Sequence, residues 1–229
     1  MCPWGQVVSL AHARVETVKT TLIIMPGSPA LVGELAPADT VGARLLARVR
    51  SLFADYLADP EVPVDLVGSR ADTWRTAHTG SFRAWGAPQV QMGGGTHLPE
   101  LIQRYALGKV FEPRVRAVGG NLASISADAV TVVALDGSTG LTQRAPSSLL
   151  RGSAEMDRRC RELLSGQHTC LSEEQLLQAG VREPQLWCEL AGLADHVESA
   201  QLLDADISHG VGRYVAVWTL DMENAEEES

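Results

Sequence analysis

The chain has 229 residues, 45% of them hydrophobic and 21% charged, which is ordinary globular usage and excludes a disordered or fibrous protein. A chain of this length buries a full core as one domain. The net charge is −9 and the pI near 5.1, and no basic stripe runs along the sequence, which argues against nucleic acid as a partner.

Aromatic residues make up only 5%, so the core must rest on Leu, Val, Ala and Ile. The four cysteines (Cys2, Cys160, Cys170 and Cys188) show no C-x-x-C spacing and read as reduced thiols. No apolar run approaches the ~20 residues that span a bilayer, and no signal-peptide pattern opens the chain. The expectation is a cytoplasmic protein with no membrane contact. It comprises an N-terminal extension over 1–19, a single domain over 20–220 and an acidic tail over 221–229.

In chain order, the β-branched run 20–25 reads as a buried parallel strand stopped by Pro26-Gly27. An amphipathic helix follows over 41–57, with Asp39-Thr40 as its start signal and Leu45, Leu46, Val49, Leu52 and Phe53 on its apolar face. Strands are predicted at 62–67 and 89–92, a helix at 98–107, and strands at 115–118 and 130–135. Helices are predicted at 153–164, 172–179 and 184–194; Ser172 with Gln175 makes a capping box. Strands at 199–203 and 211–220 close the chain. The alternation predicts an α/β fold: a mixed, largely parallel central sheet flanked by helices.

Ligands in such folds sit beyond the carboxyl ends of the strands. Here those ends carry Gly27-Ser28, Gly68-Ser69-Arg70, Gly93 to His97, and Asp136-Gly137-Ser138-Thr139. The candidate catalytic residues are His97 as a general base and Asp136. The candidate substrate contacts are Gly27, Ser28, Ser69, Arg70, Thr96, Ser138 and His209. Each has a plainer reading: turn glycine, strand-end cap, surface ion pair, or helix cap in the case of His97. Gly93-Gly94-Gly95 lacks dinucleotide-binding spacing, so no cofactor is expected. The tryptophans Trp74, Trp85, Trp187 and Trp218 read as packing residues.

Two stretches resemble the class III extradiol dioxygenase (LigB-type) superfamily. Met25-Pro26-Gly27-Ser28-Pro29-Ala30-Leu31-Val32-Gly33-Glu34-Leu35 is similar to its first strand-to-loop box, P-H-P-P-L-L-V-P-E-L. The second is a series in family order, as in actinobacterial members: Val132 to Ser138, Arg144-Ala145-Pro146, Ala154 to Asp157, Leu186 to Gly192, and His209 to Trp218. The resemblance covers roughly residues 20–220. It implies a LigB-like fold and, in the family, Fe(II) held by two histidines and a carboxylate.

The ligand positions depart from that pattern. Gly27 stands where the first histidine belongs, and Ser69, Arg70 and Asp72 occupy the region of the second. Ser138-Thr139 replaces a further family histidine, and the family's acid/base histidine aligns nearer Gly94 than His97. The resemblance therefore implies a homologue without the iron ligands. Its pocket would be turned to a non-redox step, such as a displacement or ring closure, on a polar or anionic small molecule in bacterial specialised metabolism, alone or as part of a heteromeric enzyme. Two alternatives remain open: a non-catalytic subunit binding a protein partner or a second copy, and an Fe(II) dioxygenase with an atypical set of His97, His209 and Glu100.

Overall fold

The computed structural model describes residues 17–123 and 125–223. Cys2, His12 and most of the expected extension and acidic tail lie outside the described residues.

Strand β1 (Thr17–Met25) leads through helix α1 (Thr40–Tyr56) to β2 (Val64–Val67). A small hairpin, β3 (Ser81–Phe82) and β4 (Ala87–Gln91), precedes helix α2 (Leu98–Phe111). Strands β5 (Val115–Gly119) and β6 (Val130–Ala134) follow, then helices α3 (Ser153–Leu164), α4 (Glu173–Gln178) and α5 (Pro184–Gly192). Strands β7 (Val197–Asp206) and β8 (Arg213–Glu223) end the fold.

The sheet has six strands in the order β5-β2-β6-β1-β8-β7. The four from β5 to β1 are mutually parallel, and β8 runs antiparallel to both of its neighbours. This is the mixed, largely parallel α/β sheet that the alternation predicts. The strand expected at 89–92 does not join it: β4 pairs only with β3, in a separate hairpin. The terminal strands are longer than their apolar runs indicate, because Thr17 pairs with Glu223 beyond them.

Side chains alternate across the sheet with the period of an extended chain. On β1, Ile23 and Met25 enter the core under α1 and α2, while Leu22 and Ile24 enter the core on the opposite face. The second core holds Trp187, Tyr214 and Trp218, with Trp187 and Tyr214 edge-to-face at 5.8 Å between centroids. Each large apolar side chain so enclosed contributes about 1.5–3 kcal/mol. Helix α1 buries the face its spacing predicts, and Asp39 caps it by accepting from the Gly42 N–H at 2.9 Å.

Helix α2 is interrupted near its end by Gly108 at φ 63°, ψ −175°, a conformation essentially restricted to glycine. Upstream of that break, Gln103 donates to the Val67 and Val132 carbonyls at 2.8 Å each, tying the helix to β2 and β6. Ser172 caps α4 by accepting from the Gln175 N–H, but the Gln175 side chain accepts from Arg159 instead of closing the box.

Candidate active site

Three parallel strands end around one cavity of about 540 Å³, within the size range of small-molecule sites. Past β1, Gly27 and Ser28 cross the strand end, and Ser28 caps a single turn by accepting from the Ala30 N–H. Past β2, Ser69 accepts from the Ala71 N–H at 3.4 Å. Past β6 comes Asp136, fixed from several sides. The Leu135 N–H donates to the Met25 carbonyl at 2.9 Å, and the Gly137 N–H to the Gly212 carbonyl at 2.7 Å. The Trp187 indole donates to the Asp136 carbonyl at 2.9 Å. Residue 137 must be glycine, because a Cβ there would lie 2.4 Å from the Tyr214 hydroxyl.

The remaining wall comes from a distant part of the chain. Ser138 pairs with Val181, Thr139 donates its N–H to the Gly180 carbonyl at 3.0 Å, and the Ser138 hydroxyl donates to the Ala179 carbonyl. These contacts carry Arg182 and Glu183 to the cavity just ahead of α5. Trp74, from the loop after β2, also lines it and donates its indole N–H to Glu183 Oε1 at 3.0 Å.

Two carboxyl groups therefore face one cavity. Burial pushes the Asp136 carboxyl up to about 8, the Glu183 charge adds to the rise, and the Gly27 N–H and Arg213 oppose it. Its Oδ1 is enclosed without a hydrogen-bond partner among the described residues. The ionised form is thus only partly compensated for the water that burial removes. Burial also raises Glu183, against the Trp74 N–H and the Arg182 charge. Asp136 therefore holds its proton well above the ordinary carboxylate range, and Glu183 accepts from the Trp74 indole.

Of the residues expected at the site, Gly27, Ser28, Ser69 and Asp136 line this cavity. Arg70, Thr96, His97, Ser138 and His209 do not. Arg70 donates to Glu100 at 2.7 Å, and Glu100 also accepts from Arg104 at 3.0 Å, so the partly exposed guanidinium is tied to a buried carboxylate. His97 is buried at the start of α2, with Nδ1 3.1 Å from the Thr96 hydroxyl and no capping bond from its side chain. Burial and the Arg70 charge hold its imidazole below the ordinary value, so it stays neutral. Ser138 is fully buried and engaged with Ala179. His209 is 55% exposed and lies 3.2 Å from Asp39.

Sequence reasoning missed Glu183, Arg182 and Trp74. Glu183 precedes a proline at a helix start, where an acid ordinarily serves the helix dipole, and nothing in the local pattern links it to Asp136. A second, larger groove of about 640 Å³ beside α1 is less suited to chemistry. Its polar groups are already engaged: Asp39 with Arg213, Arg50 with two carbonyls, and Tyr105 with Glu34.

The cavity residues do not fit an iron site of two histidines and a carboxylate, because no imidazole lines the cavity. Among the described residues, no three His, Cys, Asp or Glu side chains are grouped to hold a metal, the set His97, His209 and Glu100 included. No protein-family model matches the chain, and no curated protein matches it significantly.

Proposed function

We propose that the chain is a divergent homologue of the class III extradiol dioxygenases whose strand-end cavity carries out acid–base chemistry on a polar small molecule. The observation that carries this reading is the Asp136–Glu183 pair: two carboxyls from separate segments in one cavity, one of them held protonated near neutral pH. In a displacement or ring closure, Glu183 takes the proton from the attacking group and Asp136 gives its proton to the leaving group. The Ser28 and Ser69 hydroxyls and the Trp74 wall orient the substrate. The strand-end boxes that resemble the family, with Gly27 in place of a histidine, support the ancestry and leave open space beside Asp136: a Cβ at 27 would stand 3.4 Å from its Oδ2.

The test is turnover. The protein is incubated with a small-molecule metabolite extract, and loss of a compound with appearance of its product is read by mass spectrometry against Asp136→Asn and Glu183→Gln. At least one compound should be converted by the native protein and about a hundredfold more slowly by either variant. The reading fails if no compound is converted in a way that depends on both residues.

A further inference from the structure

Resting on the acid–base reading of the cavity, we propose that its ligand is a small zwitterion, with an ammonium group held between Asp136 and Glu183 and an acidic group held at Arg182.

Several other enclosed acids are neutralised by arginine. Asp39 holds Arg213, Asp65 holds Arg116, Glu100 holds Arg70 and Arg104, and Asp157 holds Arg161. The two cavity acids break this habit: among the described residues neither Asp136 nor Glu183 is in an ion pair, although both line the same space. Asp136 Oδ1 is enclosed with no hydrogen-bond partner at all. An enclosed carboxylate without a partner is costly, and a ligand bearing N–H donors and positive charge removes that cost. An ammonium group brings three donors to the pair, and the adjoining Trp74 ring favours a cation as well.

The same cavity also carries one positive group. Arg182 lines it from an exposed position and has no ion-pair partner among the described residues. The cavity thus offers two acids and an exposed guanidinium. A ligand carrying only an anion would meet the two acids, and one carrying only a cation would leave Arg182 unused. An amino acid, or an amine bearing another acidic group, satisfies both kinds of group at once.

Isothermal titration calorimetry of the full chain at pH 7 tests this, with short ω-amino acids compared with the n-alkylamine and the carboxylate of the same length. An amino acid should bind about tenfold tighter than its matched amine or carboxylate. Arg182→Gln, an exposed change, should bring the amino acid and the amine to similar affinity. Glu183→Gln should weaken both. Failure of every amino acid to bind, or equal binding of the carboxylate, overturns the proposal. If Asp136 nevertheless titrates well above the ordinary carboxylate range, this inference fails alone. If it titrates in that range, the acid–base reading fails with it.

Discussion

Asp136 and Asp39 stand at neighbouring strand and helix ends and have opposite acid strengths. Asp39 is also enclosed, and burial pushes it up. The Arg213 guanidinium and the Gly42 N–H outweigh that and hold it at about 2. Asp136 has no cation in contact and is held at about 8. The ordinary carboxyl value is 3.8, so between that value and about 8 the folded protein binds the Asp136 proton while the unfolded chain has lost it. Stability therefore falls as pH rises through this window and is flat for this group above it. Asn does not titrate. Thermal unfolding of Asp136→Asn and the native protein should show similar midpoints near pH 4, with the variant ahead by several degrees at pH 8. At this chain length about 1 kcal/mol moves the midpoint by roughly 2–4 °C. A constant offset from pH 4 to pH 8 would contradict the account.

At the scale of elements, Arg213 joins three of them. It is 1% exposed and pairs with Asp39 at the head of α1 and with Asp206 at the end of β7, from the first residue of β8. Asp136 forms its bridge with this same residue, so the arginine also braces the cavity. Replacing Arg213 by Met leaves two enclosed carboxylates unpaired and should cost about 3–5 kcal/mol in urea unfolding. Loss of less than about 1 kcal/mol would show that the pairs are exposed in solution.

Helices α1, α3 and α5 were legible because their apolar spacing and start signals act locally, and so were the buried runs of β1, β2 and β6. The full length of β8 and β7 was not, since it depends on partners across the sheet rather than on apolar content. At the site, Gly27, Ser28, Ser69 and Asp136 could be read from the rule that ligands gather at parallel strand ends. His97 and Arg70 follow the same rule and fail it, because Glu100 and Thr96 engage them beside the cavity. Glu183 depends on the long-range pairing of residues 138–139 with 180–181, which no periodicity reveals.

For the molecule as a whole, the sheet order decides where chemistry can occur. Placing β6 between β2 and β1 sets Asp136 between the Ser69 and Gly27 ends, and the link to residues 179–181 closes the space with Glu183. Among the described residues no helix is long and apolar enough to cross a membrane. The large exposed apolar side chains Val110, Leu149 and Leu177 sit on separate segments of the chain.

The claim that two distant carboxyls share one cavity, one of them protonated near neutrality, is tested most directly by carboxyl-carbon NMR titration of Asp136 in the native protein and in Glu183→Gln. The account predicts a midpoint near 8 that falls when the Glu183 charge is removed. A native midpoint in the ordinary carboxylate range, or one unmoved by Glu183→Gln, would contradict it.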